Sequence, residues 1–282
     1  MLDKEKIAAL MRDIKEKKEL HHLEDNFVIE HIKKYLQQEP KITKALQQNL
    51  NPKSKAYVSV IKQVRSQLRR VYGLFRDYSK ERKKLVQELL KISPSQRPQI
   101  LNRILATHSS TQERMSFYNA LYSKLFSLTG KPTILLDLGC GINPFSFPYM
   151  KLKEGSYFAY DINAEEIEYI NSYFQLLHRE NSSFNGKAIV ADLLKTNFPK
   201  ADLCFLFKMT DVIDQGKGHK KTEELLKRIP AKYVIISFAT KTMSGKKMTA
   251  PRRNWMEWLC ERLAYEYTIL EFENELFYVI KK

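Results

Sequence analysis

Along the first third of the chain, apolar positions recur every three or four residues, and no strand-like alternation appears before residue 130. Asp25 is placed to cap a helix over 26–38, which Pro40 ends, and a second break falls at Asn51-Pro52. A strongly amphipathic helix is predicted over about 53–73. Another follows Asp77 or Ser79 to about Ile92, and Ser93-Pro94 opens one that runs to about Ala106. From residue 132 the period changes. Short apolar runs at Thr133–Leu138, Ser156–Asp161, Lys187–Asp192, Ala201–Phe207 and Lys232–Ala239 alternate with helical patterns at about 164–181, 218–228 and 251–264. Such alternation predicts a parallel sheet with helices on both faces. At the end, Tyr265–Phe272 and Glu275–Ile280 flank Glu273-Asn274 and predict an antiparallel hairpin. The pattern divides the chain into an all-helical domain over 1–105 and an α/β domain over 106–282.

Charge sharpens that division. Of a net +16, residues 1–100 carry 23 Lys and Arg against 12 Asp and Glu, and the rest carry 25 against 20. A positive field concentrated in one domain suits a polyanion. At the helical period, Lys62, Arg65, Arg69, Arg76, Lys80 and Lys83 fall on one side, with Ile61, Val64, Leu68, Val71 and Phe75 beside them. If the two helices run in line, this makes a basic rail backed by a core-facing stripe. From Lys53 to Lys91 there are 12 basic and three acidic residues, whereas a merely solvated helix mixes signs to form i,i+4 pairs. A phosphate-binding face is therefore favoured over a solvated one. Cys140, Cys204 and Cys260 lie far apart, and the six histidines form no ligand spacing, which speaks against a disulfide framework or a metal site. No apolar run nears the roughly 20 residues of a membrane span, and the N-terminus lacks a signal-like core, so a cytoplasmic protein is expected.

The first apolar run ends in Asp137-Leu138-Gly139-Cys140-Gly141. Alternate glycines let a backbone turn sharply and approach a ligand. A dinucleotide loop would carry a third glycine where Pro144 stands. An acid ahead of the first glycine instead suits a zwitterionic amino-acid ligand. The second run ends at Asp161, 20 residues after Gly141, where a carboxylate accepts ribose hydroxyls. The third ends at Asp192-Leu193, where an acid accepts an adenine amino group and leucines pack on the ring. These acids fall on the carboxyl edge of the sheet, although Asp is also common at strand ends as a cap. Together they indicate S-adenosyl-L-methionine. Cys140 reads as a small loop residue rather than a nucleophile.

The stretch His108-Ser109-Ser110-Thr111-Gln112-Glu113-Arg114 opens a helix, with Ser110 and Glu113 spaced as a capping box. It is followed after 22 residues by Asp137 and the loop ending in Asn143-Pro144. Further along come Phe205-Leu206-Phe207-Lys208 with Asp214-Gln215, and Ser237-Phe238-Ala239-Thr240-Lys241 running on to Lys246. In this order the motifs resemble those of the aminoglycoside-resistance 16S rRNA guanine-N7 methyltransferases, the Arm/Rmt group, over about residues 105–282. The resemblance implies a seven-strand, Rossmann-like class I methyltransferase sheet behind a basic helical rRNA-binding domain. It implies cofactor contacts from His108, Thr111, Arg114, Asp137, Gly139, Cys140, Gly141, Asp161, Ile162, Asp192, Leu193 and Gln215, with Arg114 on the cofactor carboxylate. Gln215, Ser237 and Lys208 would border the target base. Lys241, Lys246, Lys247, Arg252 and Arg253 would add to the RNA grip, and a monomer acting on the small ribosomal subunit is expected. Ala239, and Met209-Thr210-Asp211, depart from the group's usual residues beside that pocket.

The chemistry agrees with the resemblance. Guanine N7 has a free lone pair, so its methylation rests on alignment and water exclusion rather than on a base. No Asn/Asp-Pro-Pro-aromatic run follows the fourth strand, as exocyclic-amine methylation uses, and no Pro-Cys pair offers a covalent route. Phe145, Phe238 and Trp255 are candidates to stack on an extruded base. Another base, such as adenine N1 or one in tRNA, remains an alternative. So does a non-catalytic RNA-binding or ribosome-assembly factor of the same fold.

Overall fold

The computed structural model describes residues 2–72, 79–214, 218–241, 246, 248–249 and 251–282. Its compact units are 1–77 with 162–165, and 78–161 with 166–282.

The first unit is built from α1 (Lys4–Lys15), α2 (Asp25–Gln38), α3 (Pro40–Gln48) and α4 (Lys55–Tyr72). Glu24, not Asp25, caps α2, its carboxylate accepting the Asn26 and Phe27 amides. Pro40 opens α3, because a proline fits a first helical turn where no amide donor is needed. Leu10, Ile14, Val28, Ile32, Val60, Val64 and Leu68 are fully buried in the core of this unit. The seam of α4 is Tyr57, Val60, Val64 and Leu68, with Ile61 partly buried against it, so the stripe read in the sequence holds at Ile61, Val64 and Leu68; the side chains of Val71 and Phe75 lie outside the described residues. Residues 162–165 belong here too. Ile162 packs in this core, Asn163 bridges to Leu23, Ala164 N–H donates to His22 O, and Glu165 pairs with His22 at 3.0 Å.

The second unit begins with α5 (Ser79–Leu89), α6 (Arg97–Ala106), α7 (Ser109–Arg114) and α8 (Tyr118–Thr129). Next come β1 (Ile134–Leu138), α9 (Phe147–Met150), β2 (Gly155–Asp161), α10 (Ala164–Glu180, whose first two residues count with the first unit), β3 (Phe184–Val190) and β4 (Ala201–Phe207). The chain ends with α11 (Thr210–Asp214), α12 (Lys220–Arg228), β5 (Ala231–Ala239), α13 (Asn254–Arg262), β6 (Glu266–Phe272) and β7 (Glu275–Lys281). One seven-stranded sheet has the order β3-β2-β1-β4-β5-β7-β6, parallel except where β7 runs antiparallel to β5 and β6. Side chains alternate between two cores. Leu203, Phe205 and Phe207 of β4 face one, and Cys204 and Leu206 face the other, as a strand covered on both sides requires.

The boundary expected at 105 falls instead at 77/78. Leu85, Val86 and Leu89 of α5 and Ile100, Leu101, Ile104 and Leu105 of α6 lie in the same core as Leu135 and Phe205. These helices cover the sheet, and periodicity alone does not say against what a helix packs. The third strand also ends two residues before Asp192. Among the described residues no helix is long and apolar enough to cross a membrane, and no group of three or more His, Cys, Asp or Glu is gathered for a metal ion.

Candidate active site

The strand order reverses direction between β1 and β4, and in open α/β sheets ligands bind beyond the carboxyl ends at such a switch point. The loop after β1 lies there. Gly139 (φ 68°) and Gly141 (φ 47°) both adopt left-handed backbone, and a β-carbon on Gly139 would fall 2.3 Å from the sulfur of Met209, the second residue after β4. Gly139 and Cys140 amides donate to Tyr160 O, and the Gly141 amide donates to Asp161 Oδ2 at 2.9 Å. The carboxylate at the tip of β2 thus holds the glycine loop directly.

Asp137, expected beside a ligand ammonium, is only 1% exposed and underpins the loop. Its Oδ2 accepts from Asn143 Nδ2 at 2.9 Å and from Tyr157 OH at 2.7 Å, and Asn143 Oδ1 accepts from Tyr118 OH. Burial pushes its carboxyl up to about 6, against those two hydrogen bonds, which favour the charged form. The Cys140 thiol is pushed well above its ordinary range, first by burial and then by Asp161 and Asp137, so it is not a nucleophile.

His108, rather than Ser110, stands at the N-cap of α7; the expected capping box is absent because Glu113 turns away to accept from Lys208 Nζ at 2.6 Å. The Ser110 hydroxyl lies 3.0 Å from His108 Nδ1, and Nε2 lies 3.7 Å from where a β-carbon on Gly141 would sit. Burial, then the charges of Arg82, Arg114 and Lys208, push His108 down to about 3, so its ring is neutral at pH 7. Thr111 donates to Leu105 O and His108 O and braces this turn.

A second cluster sits at the ends of β4, β5 and β7. Arg114 is 2% exposed and donates through Nε and Nη2 to the Glu275 carboxylate at 2.8 and 2.7 Å, with its guanidinium 4.7 Å from the Phe207 ring. Ser237 Oγ donates to the same carboxylate and accepts from the Lys208 amide at 3.0 Å; Lys208 Nζ lies 3.5 Å from Glu275. Burial opposes the charge on Glu275, but Arg114 and Lys208 outweigh it and hold its carboxyl below the usual range. Lys208 has a left-handed backbone (φ 56°), which bends the chain sharply off the strand. Two candidates for the target pocket, Ser237 and Lys208, are thus joined to Arg114 through Glu275. The third, Gln215, lies outside the described residues. Sequence reading missed Glu275. Its only signal was an acid opening an otherwise apolar strand.

Past β3, Asp192 Oδ1 accepts the Leu194 amide, and Leu193 is buried. Arg228, also missed, donates to the carbonyls of Leu193, Leu194 and Thr196 and fixes this turn. Ile162 packs in the core of the helical unit.

The basic rail is also revised. Lys62, Arg65 and Arg69 belong to one compact unit, Lys80 and Lys83 to the other, and Arg76 lies outside the described residues. Arg65 donates to the carbonyls of Ile14 and Asp13, and Arg69 forks onto Glu19 at 2.9 and 2.6 Å. Lys62, Lys80 and Lys83 are exposed. Lys241 pairs with Glu273 at 3.4 Å, Arg252 forks onto Glu257, and Arg253 holds Pro251 O and Ala239 O; Lys246 is exposed and Lys247 lies outside the described residues. Of the proposed stacking rings, Phe145 and Phe238 are core and Trp255 stacks on His219 at 3.6 Å.

The described residues fit S-adenosyl-L-methionine: two left-handed glycines let the loop backbone approach a ligand, one acid ends β2 and another lies two residues past β3. Comparison with known proteins decides the family. The model of the family described as ribosomal RNA methyltransferase (FmrO) matches residues 32–279. The chain belongs to this family. It is an rRNA methyltransferase, and S-adenosyl-L-methionine is its methyl donor. A 16S rRNA (guanine(1405)-N(7))-methyltransferase of Proteus mirabilis is 26% identical over 238 residues, covering 78% of this chain and 83% of that one. One of the same name from Micromonospora rosea is 29% identical over 192 residues, covering 64% and 65%. Among solved structures, the 16S rRNA methyltransferase RmtF in complex with S-adenosyl-L-homocysteine superposes with a TM-score of 0.74 at 21% identity, covering all of both chains. RmtB gives 0.71 at 20%, covering 98% of each. At these identities the two structures speak for the methyltransferase's fold.

Proposed function

We propose that this methyltransferase modifies N7 of a guanosine in 16S rRNA, at the decoding site of the assembled small subunit, and acts as a cytoplasmic monomer. Such a mark can confer aminoglycoside resistance. The curated relatives carry this activity in their names. The observation that carries the reading is chemical. Three ionisable groups near the glycine loop are poorly suited to removing a proton at neutral pH: burial and neighbouring cations push His108 down to about 3, Asp137 is enclosed by Asn143 and Tyr157, and Glu275 is held by Arg114. N7 needs no proton removed.

S-adenosyl-L-methionine would supply an electrophilic methyl on a sulfonium, which passes to N7 as the sulfur–carbon bond breaks and leaves a neutral thioether. Asp161, which accepts the Gly141 amide, would hold the ribose. Asp192, Leu193 and the turn fixed by Arg228 would receive the adenine. Arg114, fixed by Nε and Nη2 on Glu275, would supply the positive charge facing the donor's carboxylate. Lys208 and Ser237 border the target and are stiffened by Glu275. Lys62, Lys80, Lys83 and Lys246 supply exposed charge for phosphates, with shape rather than duplex sequence setting recognition.

The test is borohydride–aniline cleavage, specific for 7-methylguanosine, mapped on 16S rRNA from subunits incubated with enzyme and cofactor. A new cleavage at one decoding-site guanosine is expected. A reverse-transcription stop at an adenine, or modification of tRNA alone, would overturn the assignment. Failure to bind S-adenosyl-L-homocysteine by calorimetry would point to the assembly-factor alternative.

A further inference from the structure

Arg82 is a cation 4% exposed, four residues into α5, far in sequence from every motif assigned above. Its Nε donates to Thr107 Oγ1 at 2.9 Å, its Nη2 donates to Thr107 O at 3.2 Å, and its Nη1 donates to Glu166 Oε1. Thr107 is itself 5% exposed and closes α6 by donating from its hydroxyl to Ile104 O at 2.6 Å. It immediately precedes His108. Glu166, 8% exposed, lies in the first turn of α10, and only residues 162–165 separate it from Asp161.

These contacts close a ring. Arg82 holds Thr107; the next residue, His108, faces Gly141; the Gly141 amide donates to Asp161; the chain from Asp161 leads to Glu166; and Glu166 returns to Arg82. A buried arginine that loses either partner leaves donors unsatisfied, so the fold holds it to both. A guanidinium is suited to this work, because its planar fork reaches two partners at a fixed angle where an ammonium reaches one point.

We infer that Arg82 is a positioning residue for the cofactor site, setting the separation between the His108 turn and the Asp161 tip by clamping Thr107 and Glu166. The inference rests on the cofactor reading above. Arg82 also contributes to the low proton affinity of His108, so its charge is felt at the loop as well as its geometry.

The test compares Arg82→Lys, Thr107→Val and Thr107→Ser in the full chain, with Leu85→Ala as a control that loosens the α5 core without touching the ring. Affinity for S-adenosyl-L-homocysteine is measured by calorimetry at a temperature where every variant is folded, alongside melting temperature and steady-state methylation of small subunits. R82K and T107V are expected to weaken cofactor affinity about tenfold, the worth of one hydrogen bond to a charged group, and to raise the cofactor KM while kcat at saturation holds. T107S, which keeps the hydroxyl, should bind as the wild type, and L85A should melt earlier with unchanged affinity. If R82K and T107V behave as L85A does, with lower melting and unaltered cofactor affinity, Arg82 is a fold-stabilising residue only and the inference fails. Absence of cofactor binding by the wild-type chain would instead sink the cofactor reading.

Discussion

The two compact units use the same ion pair in different surroundings. In the helical unit Arg69 meets Glu19 with side chains 47% and 32% exposed; in the α/β unit Arg114 meets Glu275 at 2% and 0%. Both are short, forked contacts. At the surface, water screens the attraction and either partner is readily resolvated when the other is lost. In the interior, Arg114, Ser237 and Lys208 converge on one carboxylate where little water can replace any of them, so the group behaves as one unit. Geometry alone therefore does not rank ion pairs; burial does. In the α/β unit that property ties the ends of β4, β5 and β7 together through Glu275.

The largest expected effect follows from breaking the buried pair. Glu275→Ala strands Arg114 and should cost about 3–5 kcal/mol in chemical denaturation, with loss of methylation. A cost below about 1 kcal/mol would put this pair in the class of the surface one. Next, Asp161→Ala should weaken S-adenosyl-L-homocysteine about 10- to 100-fold in calorimetry, the worth of one or two hydrogen bonds to a charged group, and spare subunit affinity. The converse is a triple reversal, Lys62→Glu, Lys80→Glu and Lys83→Glu. It should spare cofactor binding, lower subunit affinity in filter binding, and flatten the salt dependence by a slope of about 2 if three phosphates are lost. Normal subunit binding by that variant would remove the lysines from the interface.

A subtler comparison uses pH. His108 titrates near 3 in the folded chain against 6.5 ordinarily, so the native state binds fewer protons than the unfolded one between those values. Its stability contribution is complete above pH 6.5 and is lost as pH falls toward 3. Asp137 acts with the opposite sign: raised from 3.8 to about 6, it favours the folded state below pH 4 and loses that contribution as pH rises through 6. His108→Asn should therefore flatten the acid decline in a melting-temperature profile, and an unchanged profile would mean that the ring is solvated. The smallest effect is expected from Glu19→Ala, below about 1 kcal/mol, which completes the contrast with Glu275.

Much of this was legible beforehand. The continuous apolar runs of β1, β4 and β5, set between helical patterns, announce strands buried on two faces, and the terminal hairpin shows in its turn residues. The glycine loop and Asp161 show because glycine is needed where the backbone is left-handed and because strand tips are where ligands bind. Less was legible for charges. A helical wheel ranks Arg65 beside Lys62, yet Arg65 is spent on α1 carbonyls and Lys62 is exposed, because the wheel does not include the neighbouring helix. α5 and α6 carry the same kind of amphipathic stripe as the helical unit, so nothing in their period told which core they would join.

Taken alone, the sequence determined the element types, the parallel sheet with its closing hairpin, the cofactor loop and the family. These depend on local spacing and on residue types that few conformations accommodate. Tertiary structure alone decided which acid answers Arg114, how Arg82 joins Thr107 to Glu166, which core takes Ile162, and where the units divide. Each of those is a pairing across a long stretch of chain, and a charge or an apolar stripe carries no mark of its partner until folding brings the two together.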